Sequence, residues 1–226
     1  MLGTGAVGRA ISGRLAELGH EVTIGTRDPE ATRSRTDDDG VATFAAWESD
    51  HPAVGLETFA EAAATAELVI NAASGDASLA VLEQAGSDNL AGKVLLDISN
   101  PLDFSAGFPP RLFVKDDDSL AEMIQRAHPD ARVVKSLNTM SNPLMIHPET
   151  LGEETTVFVS GDDPDAKAVV TTLLHELGHI DVLDLGGLST ARGVEMWLAL
   201  WVRIMGALGG ADFNLKIVRG PSLFGG

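Results

Sequence analysis

The chain has 226 residues, 44% of them hydrophobic and 22% charged, and it contains no cysteine. Disulfides, thiolate metal sites and cysteine nucleophiles are therefore excluded, and a domain of this size buries roughly 70–75% of its unfolded surface without any such staple. With 33 acidic against 16 basic residues the formal charge is −17, a field that repels polyanions, so nucleic acid is not an expected partner. No apolar run approaches the ~20 residues of a membrane span, and no basic, apolar and small-residue sequence marks a secretory signal at the start. A cytoplasmic place, with no membrane partner, is the expectation.

A glycine loop opens the chain. Gly3-Thr4-Gly5-Ala6-Val7-Gly8 fits G-x-G-x-x-G and runs into an amphipathic helix, Ala6–Leu18, with Ile11, Leu15 and Leu18 on one face. In such a loop the first glycine allows the tight turn and the second lets the backbone approach a pyrophosphate. The third lets helix and strand pack closely, and the helix N-terminus offers its N–H groups to the anion. Only Met1 and Leu2 precede the loop, where a parallel strand of ~5–6 residues belongs. The first strand is therefore expected to be truncated, with the start codon assigned late; an intact native mass beginning at Met1 would refute this.

The next strand, Glu21–Gly25, ends in Thr26-Arg27. Dinucleotide sites that take NAD place a carboxylate there, on the ribose 2′-hydroxyl. A hydroxyl followed by a guanidinium instead suits a 2′-phosphate by hydrogen bonding and neutralisation, which points to NADP(H). Asp28 is the complication, but Pro29 behind it suggests that the chain is already turning away, and Arg33 and Arg35 can add positive potential. The runs Asp37-Asp38-Asp39 and Asp116-Asp117-Asp118 read as solvated loops rather than metal sites, because consecutive side chains do not converge on one point.

Beyond this point helices and strands alternate. Helices are expected at Thr58–Ala66, Ala77–Ala85, Ser119–Arg126 and Pro164–Leu177, and strands at Leu68–Ala73, Lys93–Ile98, Arg132–Leu137, Thr156–Ser160 and Ile180–Leu185. This rhythm calls for a mostly parallel sheet covered on both faces, and runs such as Val94-Leu95-Leu96 are apolar throughout, as both-face burial requires. A domain over residues 1–187 is expected, followed by a helical segment over 188–226. In that segment Ser189–Gly209 reads as one long helix. Its Met196, Trp197, Trp201 and Met205 read as core against the sheet or a second subunit rather than as a flavin-stacking surface.

His175-Glu176-Leu177-Gly178-His179 matches H-E-x-x-H, which on a continuous helix could hold zinc. The helix is expected to stop at Gly178, which carries His179 off the face of His175. Glu195 is the only plausible later carboxylate. No metal is expected.

Several segments together carry a resemblance. Leu2-Gly3-Thr4-Gly5-Ala6-Val7-Gly8, Gly25-Thr26-Arg27-Asp28-Pro29, Asp97-Ile98-Ser99-Asn100-Pro101-Leu102, Lys135-Ser136-Leu137-Asn138-Thr139, Ser160-Gly161-Asp162-Asp163 and Asp184-Leu185-Gly186-Gly187-Leu188-Ser189-Thr190-Ala191-Arg192 resemble the NADPH-dependent coenzyme F-420 reductase family. The NADPH domain of STEAP-type metalloreductases is similar in the same places. The resemblance implies an α/β fold, a Rossmann-type doubly wound sheet with a short C-terminal helical unit. It also implies a homodimer and hydride exchange between NADP(H) and a flavin or the deazaflavin coenzyme F-420.

By that match Gly3, Thr4, Gly5, Ala6, Val7 and Gly8 hold the pyrophosphate, and Thr26 and Arg27 the 2′-phosphate. Ala72, Ala73 and Ser74 lie along the cofactor, while Asn100, Pro101, Asn138, Thr139 and Met140 end strands at the crevice where such sheets bind ligands. The two asparagines also suit plain strand exits. The chain departs from the family in reading Ser74-Gly75-Asp76-Ala77-Ser78 where a Pro-Trp-Glu-His-like segment is usual, and Asn138-Thr139-Met140-Ser141-Asn142-Pro143 for a His-Thr-Ile-Pro-like one. The acceptor pocket is thus altered. No catalytic acid or base is named, since hydride transfer needs placement more than proton transfer. Reduction of a small imine or carbonyl substrate, and a non-enzymatic NADPH-sensing module, are the alternatives.

Overall fold

The computed structural model describes residues 1–36 and 43–220; the Asp37-Asp38-Asp39 run lies outside them. The first half of the chain gives α1 (Ala6–Glu17), β1 (Val22–Thr26), α2 (Pro29–Ser34), α3 (Phe44–Asp50), β2 (Val54–Thr58), α4 (Phe59–Thr65), β3 (Leu68–Asn71), α5 (Ser78–Ala85), α6 (Ser87–Leu90) and β4 (Val94–Asp97). A small hairpin of β5 (Leu102–Asp103) and β6 (Arg111–Leu112) follows, then α7 (Leu120–Ala127), β7 (Arg132–Lys135), α8 (Asn142–Ile146), β8 (Thr156–Gly161), α9 (Pro164–Glu176) and β9 (Asp181–Asp184). The C-terminal part holds α10 (Ala191–Met196) and α11 (Leu198–Leu208).

The sheet is a doubly wound Rossmann type. β3, β4, β7, β8 and β9 are neighbours in that order, and β1 pairs with β2. Leu2 bridges the two groups, parallel to Gly25 on one side and to Asn71 on the other. Its N–H donates to Ile70 O at 2.8 Å, and its carbonyl accepts from Ala72 N at 2.9 Å. Two residues thus stand at the centre of the sheet. Below them the facing stretches of β1 and β3 border a cavity of about 620 Å³ lined by Met1, Val22, Leu68 and Ile70. The pairing is parallel except at β7–β8, where Val134 faces Gly161 in antiparallel register, while β8 and β9 are parallel to one another.

Alternation along the strands explains the layering. Val94 and Leu96 of β4 belong to one apolar core with Ile11, Leu15 and Leu174, whereas Leu95 belongs to the other with Leu82, Leu120 and Ile124. Successive side chains point to opposite faces, so β3, β4 and β7 each feed both cores and carry consecutive apolar residues. The two-residue central strand obeys the same rule, with Met1 in the first core and Leu2 in the second.

The expected C-terminal helix is divided at Trp197, whose backbone remains helical at φ −51°, ψ −34°. The Val194 carbonyl, which an unbroken helix pairs with Leu198, accepts a bond from the Asn138 side chain at 3.0 Å. Leu198 and Val202 face inward while Leu200 and Leu208 are exposed, so the helix is apolar beyond the face that it buries here. Among the described residues no helix is long and apolar enough to cross a membrane. Asp116 and Asp117 are exposed, and Asp118 pairs with Arg126 and accepts from Ser119 N ahead of α7, so this acidic run serves a helix start.

Candidate functional site

The crevice lies at the carboxyl ends of the parallel strands. A cavity of about 970 Å³ opens there, with Gly5, Ala6 and Val7 on one side and Ala72, Ala73 and Ser74 on another. Asn100, Asn138 and Met140 complete the predicted part of its lining. Pro101 is not among the lining residues; it is buried and holds the hairpin, accepting from Phe113 N at 3.0 Å. Thr139 is buried beside the cavity rather than in its wall.

The glycine loop is shaped by contact. A Cβ on Gly8 would stand 2.2 Å from Gly3 O, and one on Gly3, whose φ is +122°, would meet Ala72 O at 2.8 Å. Gly3 and Gly8 therefore serve close packing, and Gly5 differs: a Cβ there would meet nothing within 4 Å. Gly5 caps α1 with no side-chain hydrogen bond, so the first-turn N–H groups keep their direction toward the opening. That open face at a helix N-terminus fits a pyrophosphate. The loop fits a dinucleotide.

The strand exit at Thr26 differs from expectation. Thr26 is buried, and its Oγ1 lies 2.8 Å from Thr32 Oγ1, whose own proton goes to the Asp28 carbonyl at 2.8 Å. A hydroxyl has one proton, so that of Thr26 goes to Thr32 and none remains for a phosphate. Thr26 fixes the turn instead. Asp28 is the N-cap of α2, accepting from Ala31 N at 3.0 Å with Pro29 in the first helical turn, which removes its carboxylate from the ribose position. Arg33 forks onto Glu48 at 2.8–3.1 Å, and this bond holds its pKa above the ordinary value. Arg27 is exposed, and Arg35 reaches back to donate to Thr4 Oγ1 at 2.8 Å.

Behind the crevice sits a buried ionic cluster: Asp97 and Lys135 open two of the segments that carry the resemblance and Glu195 is read only as a candidate metal ligand, but no motif joins the three. Lys135, wholly buried at the end of β7, donates to Asp97 Oδ2 at 2.7 Å and Ser99 O at 2.5 Å, and lies 2.9 Å from Glu195 Oε1. Asp97 Oδ1 accepts from Asn71 Nδ2 at 2.9 Å and Ser99 Oγ at 2.6 Å. Glu195 Oε2 and Oε1 accept from Leu120 N at 2.8 Å and Ala121 N at 3.1 Å, so the carboxylate closes the start of α7. Burial pulls the Lys135 pKa down, but the two carboxylates more than offset that and hold it above the ordinary value. The signal was present in the sequence as a charge in each of three otherwise apolar stretches: Val94-Leu95-Leu96-Asp97, Val133-Val134-Lys135 and Val194-Glu195-Met196.

Asn100 and Asn138 clasp each other across the cavity floor. Asn100 Nδ2 donates to Asn138 O at 2.9 Å, and Asn138 Nδ2 donates to Asn100 Oδ1 at 2.9 Å and to Val194 O at 3.0 Å. Further lining came from outside the motifs: Gly75, Phe104, Phe113, Met145 and Trp201. Gly75 is the telling one, since a Cβ on it would stand 1.9 Å from Asn100 O.

The H-E-x-x-H segment is a helix exit. α9 ends at Glu176, and Gly178 turns the chain at φ +100° before β9. His175 Nδ1 donates to His179 O at 2.8 Å, while His179, buried, donates from Nε2 to Met145 O at 3.1 Å. Glu195, the remaining candidate ligand, lies in the Lys135 cluster instead.

Two outcomes follow from this geometry. Gly5→Ala should leave the melting temperature nearly unchanged and weaken NADPH binding at least ~10-fold by filling the approach to the pyrophosphate, whereas Gly8→Ala should cost several kcal/mol of stability, on the order of that for overpacking; thermal melts with NADPH titration separate them. Burial holds the His179 pKa below its ordinary 6.5, so the unfolded chain takes up a proton that the folded chain refuses. This contribution to stability is complete above pH 6.5 and is lost as pH falls below it. Melts between pH 7.5 and 5.5 should show a decline that is shallower in His179→Gln.

The chain is similar to known proteins. Residues 1–101 match the family described as NADP oxidoreductase, coenzyme F420-dependent. The F420-dependent NADP reductase of Methanothermobacter marburgensis is 31% identical over 205 residues, covering 89% of each chain. The metalloreductase STEAP3 of Rattus norvegicus is 30% identical over 86% of this chain, which spans only 35% of that protein. A crystal structure of a candidate F420-dependent NADP reductase from Arthrobacter sp. FB24 superposes with a TM-score of 0.93 at 57% identity, covering 96% of this chain and 97% of the other. The family match includes the glycine loop, and the chain belongs to the F420-dependent NADP reductase family of NADP-dependent oxidoreductases.

Proposed function

We propose that the chain passes hydride between NADP(H) and a deazaflavin of the coenzyme F420 type. In this reading the pyrophosphate rests on the first turn of α1, with Gly5, Ala6 and Val7 around it. The 2′-phosphate is taken by Arg27 with Arg35, and the nicotinamide lies along Ala72, Ala73 and Ser74 toward Asn100 and Asn138. The observation that carries it is the strand exit after β1: the carboxylate nearest the ribose position is turned into the α2 cap, and a guanidinium reaches the glycine loop.

Bound there, the nucleotide supplies the hydride chemistry, and the protein's part is to hold ring against ring. The clasped asparagines would fix the floor, while Phe104, Met145 and Trp201, which border the same cavity, offer apolar surface to a flat acceptor ring. Named relatives act with F420 by their printed names, and that supports this acceptor over a small imine or carbonyl. A homodimer belongs to the same reading, with the exposed Leu200 and Leu208 of α11 covered by a second copy; a monomeric mass by light scattering at micromolar concentration would sink that part.

Charge-assisted hydrogen bonds contribute on the order of 1.5–3 kcal/mol, which is roughly 10–100-fold in affinity. NADPH should therefore bind about that much more tightly than NADH, and Arg27→Ala should weaken NADPH while leaving NADH nearly unchanged. Arg35→Ala should act in the same direction. Equal affinities in the wild type would show that this loop does not read the phosphate. NADPH oxidation assayed with F420, FMN and FAD should be fastest with F420; turnover with none of them would set aside the deazaflavin reading.

A further inference from the structure

The buried cluster of Lys135, Asp97 and Glu195 holds one ammonium between two carboxylates, at 2.7 and 2.9 Å, and all three side chains are 98–100% buried. With each group in its ordinary charge state the sum is −1. The excess negative charge is stabilised locally: Asn71 Nδ2, Ser99 N and Ser99 Oγ donate to Asp97, and the first N–H groups of α7 donate to Glu195. Burial shields this charge from bulk solvent, and residues next to it in the chain form the crevice wall. Asp97 precedes Ile98, Ser99 and Asn100, all in the cavity lining, and Asn71 precedes Ala72. Ser99 itself is both a lining residue and a partner of Asp97 and Lys135.

We propose that this cluster is an anionic floor of the crevice that favours the oxidised nicotinamide over the reduced one. The inference rests on the reading above, that the nicotinamide occupies the crevice beside Ala72 and Asn100. The physical argument is a difference in ring charge. The oxidised nicotinamide ring is a cation and the reduced ring is neutral, while the phosphates are common to both forms. A fixed negative charge behind the crevice wall therefore acts on one form and not the other, and because it is buried it is screened less than a surface charge. Loss of a hydride, two electrons and one proton, from the reduced ring to the acceptor creates that cation. The cluster thereby makes the bound reduced cofactor a better donor, and biases the site toward reducing the acceptor.

The test is a pair of dissociation constants, which need no acceptor and no turnover. NADP+ and NADPH are titrated against the wild type and against Glu195→Gln, which removes one charge with little change of shape. The expected result is that Kd for NADP+ divided by Kd for NADPH rises about 3- to 10-fold, the order of one charge acting at moderate effective dielectric. Asp97→Asn should move the ratio in the same direction and gives a second route if Glu195→Gln folds poorly. A merely structural role would weaken both nucleotides together, and equal changes would overturn the proposal, as would a ratio that falls. The wild type also decides without any variant: a preference for NADPH over NADP+ of tenfold or more would overturn it. A wild type that binds neither nucleotide would overturn the crevice reading itself, a result distinguishable from two equal losses.

Discussion

A lysine ammonium with no access to water is the constraint around which this molecule is arranged. Lys135 has three donors and finds three acceptors, on Asp97, Ser99 and Glu195. Desolvating such an ion costs several kcal/mol, and leaving it unpaired would destabilise the fold by about 3–5 kcal/mol. The three acceptors come from the end of β4, the loop behind it, and α10. Satisfying one side chain therefore fixes the sheet, the crevice floor and the C-terminal helices to each other. Asn138 adds a second tie to the same helix through Val194 O. The helical segment after β9 is thus a wall of the site, and α11 brings Leu198 and Trp201 to the cavity as a consequence.

The other constraint is backbone contact where side chains would not fit. Gly3 and Gly8 press the glycine loop together, and Gly75 presses the loop after β3 onto the carbonyl of Asn100. These contacts set the two sides of the crevice within reach of one molecule. A side chain at Gly75 could not make so close an approach, and Phe104 and Phe113 of the hairpin border the same cavity.

Charge is distributed with the same economy. The chain is strongly acidic, and most of its arginines are committed. Arg33 pairs with Glu48, Arg126 with Asp118, and Arg192 with Glu122. Arg27 and Arg35 make no ion pair among the described residues, and both stand near the glycine loop side of β1. An anion of moderate charge would meet local positive potential there, against a surface that otherwise repels it.

Local pattern determined much of this. The glycine loop, the alternation of helices and strands from Thr58 onward, and the both-face burial of β3 and β4 follow from hydrophobic period and glycine spacing, which depend only on near neighbours in the chain, whereas α2, α3 and β2 between Pro29 and Thr58 carry no such period and are not anticipated by it. The turn after Thr26 was legible too, because Pro29 turns the chain, though the helix that Asp28 caps there is not anticipated. Tertiary structure decided what depends on groups far apart. By pattern Thr26 suits a phosphate, but Thr32 and the Asp28 carbonyl take up the protons of that small network. The pattern from Ser189 predicts one continuous helix, but Asn138, 56 residues before Val194, bonds into its interior. The antiparallel turn of β8 left no mark, since a buried strand is equally apolar in either direction. The members of the Lys135 cluster stand in the sequence as separate charges, two of them opening segments of the family resemblance, with nothing that joins them. Which carboxylate answers which ammonium is a matter of distance in space, and sequence separation carries no information about that.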